Sequence, residues 1–199
     1  MAKLKIFTFP DVVLTQKSVP VPRVEKTFFK LADDMLETMY DAPGIGLAAN
    51  QVGLLERFIV IDTEYDAKDV EDLKEGEKIP ENAEVINGQI ITGKKPLILI
   101  NPEIIYREGK NAIEEGCLSV PEYWAEVERA EKIKVRYQTI DGLEKILAVD
   151  DVLAICIQHE IDHLEGKLFI ERLSALKKEF AKKKLLKARK EKERKLGLK

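Results

Sequence analysis

The chain has 199 residues, 33 Lys and Arg against 36 Asp and Glu, and a formal net charge of −3, which suits one domain large enough to enclose a hydrophobic core. Hydrophobic residues make up 45% and aromatics 7%, a globular composition, and no run reaches the roughly 18–20 apolar residues of a membrane span. The basic N-terminus, residues 1–10, has no apolar segment or small-residue cleavage site and does not read as a secretory signal. Two cysteines, Cys117 and Cys156, are too few for a disulfide scaffold, so a reducing, cytoplasmic setting is expected.

The near-neutral total hides an asymmetry. Residues 177–199 hold twelve basic side chains and three acidic ones, a local +9 that leaves −12 on the rest. An acidic body with a basic tail suggests that the tail has its own partner.

In chain order, Phe28, Leu31, Met35, Leu36 and Met39 place one apolar stripe on a helix over residues 26–40. Pro43 and Gly44 end it. The apolar runs 58–62 and 97–100 read as buried strands. Between them, residues 63–96 are mostly charged and read as a surface insertion with a hairpin around 85–91. Ile133, Val135 and Tyr137 alternate with Lys132, Lys134 and Arg136, the period-2 pattern of a half-buried strand. Asp141-Gly142 supplies turn chemistry before a return strand at 146–149. A second helix begins at a cap on Asp150 or Asp151 and ends at Gly166. From about Ser174 the chain reads as a long basic helix. Its apolar positions, Leu176, Phe180, Leu185 and Leu186, are too few to dock it firmly, so the plain expectation is a solvated, partly frayed terminus. No repeat or composition shift marks a second domain.

The two histidines, His159 and His163, stand at i and i+4 on the second predicted helix, so both imidazoles project from one face. Val152, Ile155 and Cys156 continue that stripe and turn the pair inward. His159-Glu160-Ile161-Asp162-His163 is an H-E-x-x-H sequence, in which two His bind a metal and the Glu serves as general base. The bland alternative is two structural histidines on an ordinary helix. A catalytic site needs a third protein ligand. Cys117, in Glu115-Gly116-Cys117-Leu118-Ser119, is the best candidate, against a buried structural thiol or a disulfide with Cys156.

Together these segments resemble the peptide deformylase family. Gly44-Ile45-Gly46-Leu47-Ala48-Ala49-Asn50-Gln51 is similar to its glycine-rich first motif, Glu115 to Ser119 to its second, and His159 to His163 to its third. The resemblance covers roughly residues 7–169 and leaves the long insertion unexplained. It implies an enzyme that removes the formyl group from the N-terminal methionine of newly made proteins. Cys117, His159 and His163 would hold a divalent metal, and Glu160 would be the general acid/base. Gln51 and the Leu118 backbone N–H would form an oxyanion hole, and Gly44, Ile45 and Gly46 would line the groove for an extended peptide. The chemistry agrees: a formamide is a poor electrophile that needs oxyanion stabilisation, and an amide such as Gln51 donates without adding charge. Glycines allow close approach of a peptide backbone, although alone they would read as a plain loop. Ile45, Ile113, Val152, Ile155 and Cys156 are the candidates to surround the methionine side chain, with ordinary core packing as the alternative. The ligand set alone suggests Zn²⁺; the resemblance implies Fe²⁺, with Ni²⁺, Co²⁺ or Zn²⁺ also able to bind.

The expected architecture is α+β: a single domain with short antiparallel β-sheets around a central metal-binding helix, plus a C-terminal helix. Residues 1–173 would be the catalytic domain and 174–199 the basic tail, for which the resemblance implies attachment to the ribosome. Expected partners are therefore nascent N-formylmethionyl polypeptides and the ribosome, with no membrane. Two rival readings stand beside this one. A zincin-like endopeptidase would share H-E-x-x-H but lacks a third His. A ribosome-associated binding protein with a degenerate site would conflict with the intact Glu160, Cys117 and Gln51.

Overall fold

The computed structural model describes residues 3–74, 77–195 and 197. The parts of the N-terminal, insertion and tail readings that fall on residues 1–2, 75–76, 196, 198 and 199 lie outside them. Helix α1 spans Lys26–Asp41. Strands β1 (Gly46–Ala48), β2 (Phe58–Ile61), β3 (Asp66–Asp69), β4 (Glu84–Ile86) and β5 (Gln89–Thr92) follow. Then come β6 (Leu97–Glu108), β7 (Asn111–Cys117), β8 (Val120–Arg129), β9 (Lys132–Gln138) and β10 (Glu144–Asp150). Helix α2 (Asp151–Leu164) and helix α3 (Ala175–Lys195) close the chain, separated by a 3₁₀ turn at Phe169–Arg172.

The main sheet is antiparallel with strand order β1-β2-β6-β9-β10. Its centre is buried on both faces, which is why β2 reads as an unbroken apolar run. Alternation divides that run: Phe58 and Val60 pack with Phe28, Met35 and Met39 of α1. Ile59 and Ile61 pack with Ala154, Ile157 and Ile161 of α2, joined by Leu99, Ile133 and Val135. Each such fully buried aliphatic side chain contributes about 1.5–3 kcal/mol of transfer free energy. Helix α2 is thus central, covered by the sheet, and the α+β expectation holds.

Three features differ from the sequence reading. The insertion holds the expected hairpin, β4-β5, but β3 extends it to a three-stranded sheet, β3-β5-β4, and it is not wholly superficial, because Ile90 and Ile91 are buried. The segment 111–129 is a long hairpin, β7-β8. Finally, α3 docks. Ala181 and Leu185 are buried against Leu14, Val120, Val127 and Phe169. Lys178 and Lys182 pair with Glu171, and Arg189 reaches Asp11 and Thr8. Leu176, Phe180 and Leu186 remain exposed. Small Ala181 and the ion pairs do the docking that the few large apolar positions did not promise. No helix among the described residues is long and apolar enough to cross a membrane.

Candidate active site

Helix α2 carries His159, Glu160 and His163, all buried. The hairpin β7-β8 brings Cys117 to them at its turn, where Cys117 pairs with Val120 across Leu118 and Ser119. One ligand atom from each of Cys117, His159 and His163 lies within 4.8 Å of the others, and Cys117 Sγ is 3.1 Å from His163 Nε2. Both cysteines are free. Cys156 stands apart from the cluster, its thiol 3.6 Å from the Ile45 carbonyl.

The donor set fits a divalent metal. His159 Nδ1 is 2.8 Å from Glu115 Oε2, which fixes the ring and leaves the other nitrogen for the cluster, the usual support of a metal-bound imidazole. Burial and the neighbouring His159 hold His163 far below the ordinary histidine range, in the neutral form that ligates. Burial works against charge on His159 as well, yet hydrogen bonds to Cys117 and Glu115 outweigh it and raise its pKa to about 10.

Glu115 belongs to a buried network. Both its oxygens accept from Arg129, whose side chain is fully buried; Nη2 donates to Oε2 at 2.9 Å. Arg129 Nη1 donates to Asp162 at 2.8 Å, and Arg172 Nη2 donates to the same carboxylate at 2.6 Å. The hairpin, α2 and the 3₁₀ turn beneath α3 are thereby tied to one metal-ligand candidate. Charge balance makes the burial tolerable: two guanidinium groups face two carboxylates.

Gln51 is fixed from both ends. Its Oε1 accepts from the Ala48 N–H at 2.8 Å, and its Nε2 donates to Ser119 Oγ at 3.1 Å with Cys117 Sγ at 3.7 Å. The N-terminal segment braces both sides, with Phe7 N–H donating to the Gln51 carbonyl and Phe9 N–H to the Ser119 carbonyl. Glu160 is buried with Oε2 unpartnered, and burial raises its pKa to about 7. Gly46 is required: a Cβ there would stand 2.5 Å from Glu160 Oε1 and 2.8 Å from Cys156 Sγ.

A cavity of about 480 Å³ opens on this cluster, within the size range of small-ligand sites. It is lined by Gly44, Ile45, Gly46, Gln51, Ile113, Cys117, Leu118, Val152, Ile155, Cys156, His159 and Glu160. Every residue singled out in the sequence is there except His163, which is fully buried behind the wall. Val152, expected on the inward stripe of α2, is 51% exposed, and Ile45, expected beside the methionine side chain, is 44% exposed, although both line the cavity. Sequence reasoning missed the second wall, Pro121, Glu122, Tyr123 and Trp124. It also missed the Arg129–Asp162–Arg172 network. No local motif marks either.

A family model for polypeptide deformylase matches residues 3–179. The chain belongs to the peptide deformylase family. A peptide deformylase from Bartonella tribocorum is 45% identical over 193 residues, 96% of each chain. One from Nitrosococcus oceani is 47% identical over 184 residues, 92% of this chain and 95% of its own. The crystal structure of a peptide deformylase from Legionella pneumophila matches with a TM-score of 0.77 at 37% identity, covering 97% of this chain and 99% of the other. The Ehrlichia chaffeensis deformylase in complex with actinonin matches with a TM-score of 0.77 at 37% identity, covering 94% and 98%. The deformylase relationship thus spans the cavity, the α2 motif, the insertion and the start of α3, and the chain is an enzyme of this family.

Proposed function

We propose that the enzyme hydrolyses the N-formyl group of a formylmethionyl peptide, releasing formate and a free amino terminus. The observation that carries this reading is the unpartnered Oε2 of the buried Glu160 beside the Cys117–His159–His163 cluster, in a largely apolar cavity. A divalent metal held by these three residues would supply a Lewis acid for the formyl oxygen and a more acidic water. Glu160 takes the proton of the attacking water and returns it to the leaving amine. Gln51 Nε2 and the Leu118 N–H donate to the oxyanion, adding no charge. The peptide lies extended along Gly44, Ile45 and Gly46, at the outer edge of β1, where main-chain pairing is available. Ile113, Val152, Ile155 and Cys156 enclose the methionine side chain.

The physiological ion in this reading is Fe²⁺, as the family resemblance implies, although the ligand types alone suit Zn²⁺. Residues 1–173 carry catalysis in the cytoplasm, and the basic tail, 174–199, holds the enzyme at the ribosome near emerging formylated chains. The test is formate release from formyl-Met-Ala-Ser by anaerobically purified protein, with metal analysis of the same sample. The reading expects about one iron per chain and formate production abolished by chelation. Full activity after chelation to negligible metal would overturn the metal-dependent mechanism.

A further inference from the structure

Outside the cavity, the root of the insertion holds the back of the first-motif loop. Tyr65 is half-buried, and its hydroxyl donates to the Gly44 carbonyl at 3.1 Å. Its ring meets Tyr40 edge to face, with centroids 4.9 Å apart at 84°. The Tyr40 hydroxyl in turn donates to Asp62 Oδ2 at 2.7 Å. Asp62 is 1% exposed and accepts the backbone N–H groups of Lys95 at 2.8 Å and Glu64 at 3.0 Å. Its own N–H donates to the Ile45 carbonyl at 3.0 Å. Both carbonyls of the Gly44-Ile45 pair are therefore held from the insertion side. On the other side Gly44 packs tightly on Leu118, since a Cβ at 44 would lie 2.7 Å from Leu118 Cδ1.

Gly44, Ile45 and Gly46 line the cavity and Tyr65 does not, so the hydroxyl acts on the loop and never on the reacting atoms. We propose that Tyr65 is a positioning residue for the peptide: by holding the Gly44 carbonyl, it sets the Ile45-Gly46 edge at the height where an extended substrate main chain can pair with it. This rests on the deformylase reading above. It also gives the insertion a role, as the platform from which the loop is fixed. Leu118 has separate support from its own turn, through the Phe9 N–H on the Ser119 carbonyl. Losing the Tyr65 hydroxyl should therefore weaken peptide binding and leave the chemical step intact.

The experiment compares wild type with Tyr65→Phe, which keeps the ring on Tyr40 and removes one hydrogen bond. Steady-state kinetics are measured on formyl-Met-Ala-Ser and on formyl-Met amide, which lacks the following residues. The expected result is a KM rise of about three- to tenfold on the tripeptide, the scale of one net hydrogen bond. The rise should be smaller on the amide, with kcat within about twofold of wild type on both. An unchanged KM on the tripeptide, or an equal fall in kcat on both substrates, would overturn the inference while leaving the functional reading in place. A wild-type protein that releases no formate from either substrate would bring down the functional reading and this inference with it.

Discussion

Glu160 and Cys117 are the residues where the proposed chemistry is most exposed to test. Glu160 lies outside the metal-ligand set, with one oxygen unpartnered. Glu160→Gln should leave metal content unchanged and lower kcat by at least about 10²–10⁴-fold, the scale of a lost acid/base. Activity within a few-fold of wild type at equal metal occupancy would remove Glu160 from the mechanism. Cys117→Ser replaces a soft thiolate by a hard hydroxyl and should lose both metal and most activity. Cys156→Ser should retain the metal, because that thiol touches the Ile45 carbonyl and lies outside the cluster. Metal analysis of the two variants decides between the thiols; loss of metal from Cys156→Ser would show that the wrong one has been assigned.

At the scale of elements, the hairpin β7-β8 and α2 are joined through charge more than through apolar contact. Arg129 is the hub, buried between Glu115 and Asp162. Arg129→Met would leave two carboxylates without it and should destabilise the fold by about 3–5 kcal/mol in urea denaturation; a loss under about 1 kcal/mol would mean that Arg172 and solvent suffice. Burial pushes both carboxyls up, but pairing with Arg129, and with Arg172 for Asp162, outweighs it and holds them below their ordinary range. Their contribution is therefore complete above about pH 4–4.5 and is lost as pH falls through the lowered native values. Helix α3 divides its surface in the same physical way. Ala181 and Leu185 face the body, while Lys183, Lys187, Lys190 and Arg194 are exposed along one side. Leu185→Ala should cost about 2 kcal/mol in thermal or urea unfolding, the low end for a buried leucine. Changing the four exposed cations to Glu should abolish ribosome co-sedimentation at low salt, because phosphate contacts are salt-sensitive, and leave short-peptide hydrolysis nearly unchanged, because none of the four lines the cavity. Undiminished co-sedimentation would show that this face is not the anchor.

For the whole molecule, what could be read from sequence was what local periodicity encodes. The stripe of α1 and the alternation at 132–138 match the elements formed because in each a single face turns to the core. H-E-x-x-H places two imidazoles and a carboxylate at one spot by helical geometry alone. The hairpin at 111–129 escaped because Glu115 and Arg129, its buried pair, are charged. Their inward direction exists only once both strands and α2 meet. The docking of α3 escaped for the same reason: Ala181 offers little apolar area, and its neighbours are more than fifty residues distant in Val120 and Val127. The Tyr65–Gly44 bond likewise depends on the insertion folding back over the first motif.

Product analysis by mass spectrometry on formyl-Met-Ala-Ser, with metal-loaded wild-type protein, tests the central claim most directly. It separates deformylation from the endopeptidase chemistry that H-E-x-x-H could also support. The account predicts a single new peptide, Met-Ala-Ser with a free amino terminus, and one formate for each peptide converted. Cleavage of the Met-Ala or Ala-Ser bond with the formyl group retained would contradict it.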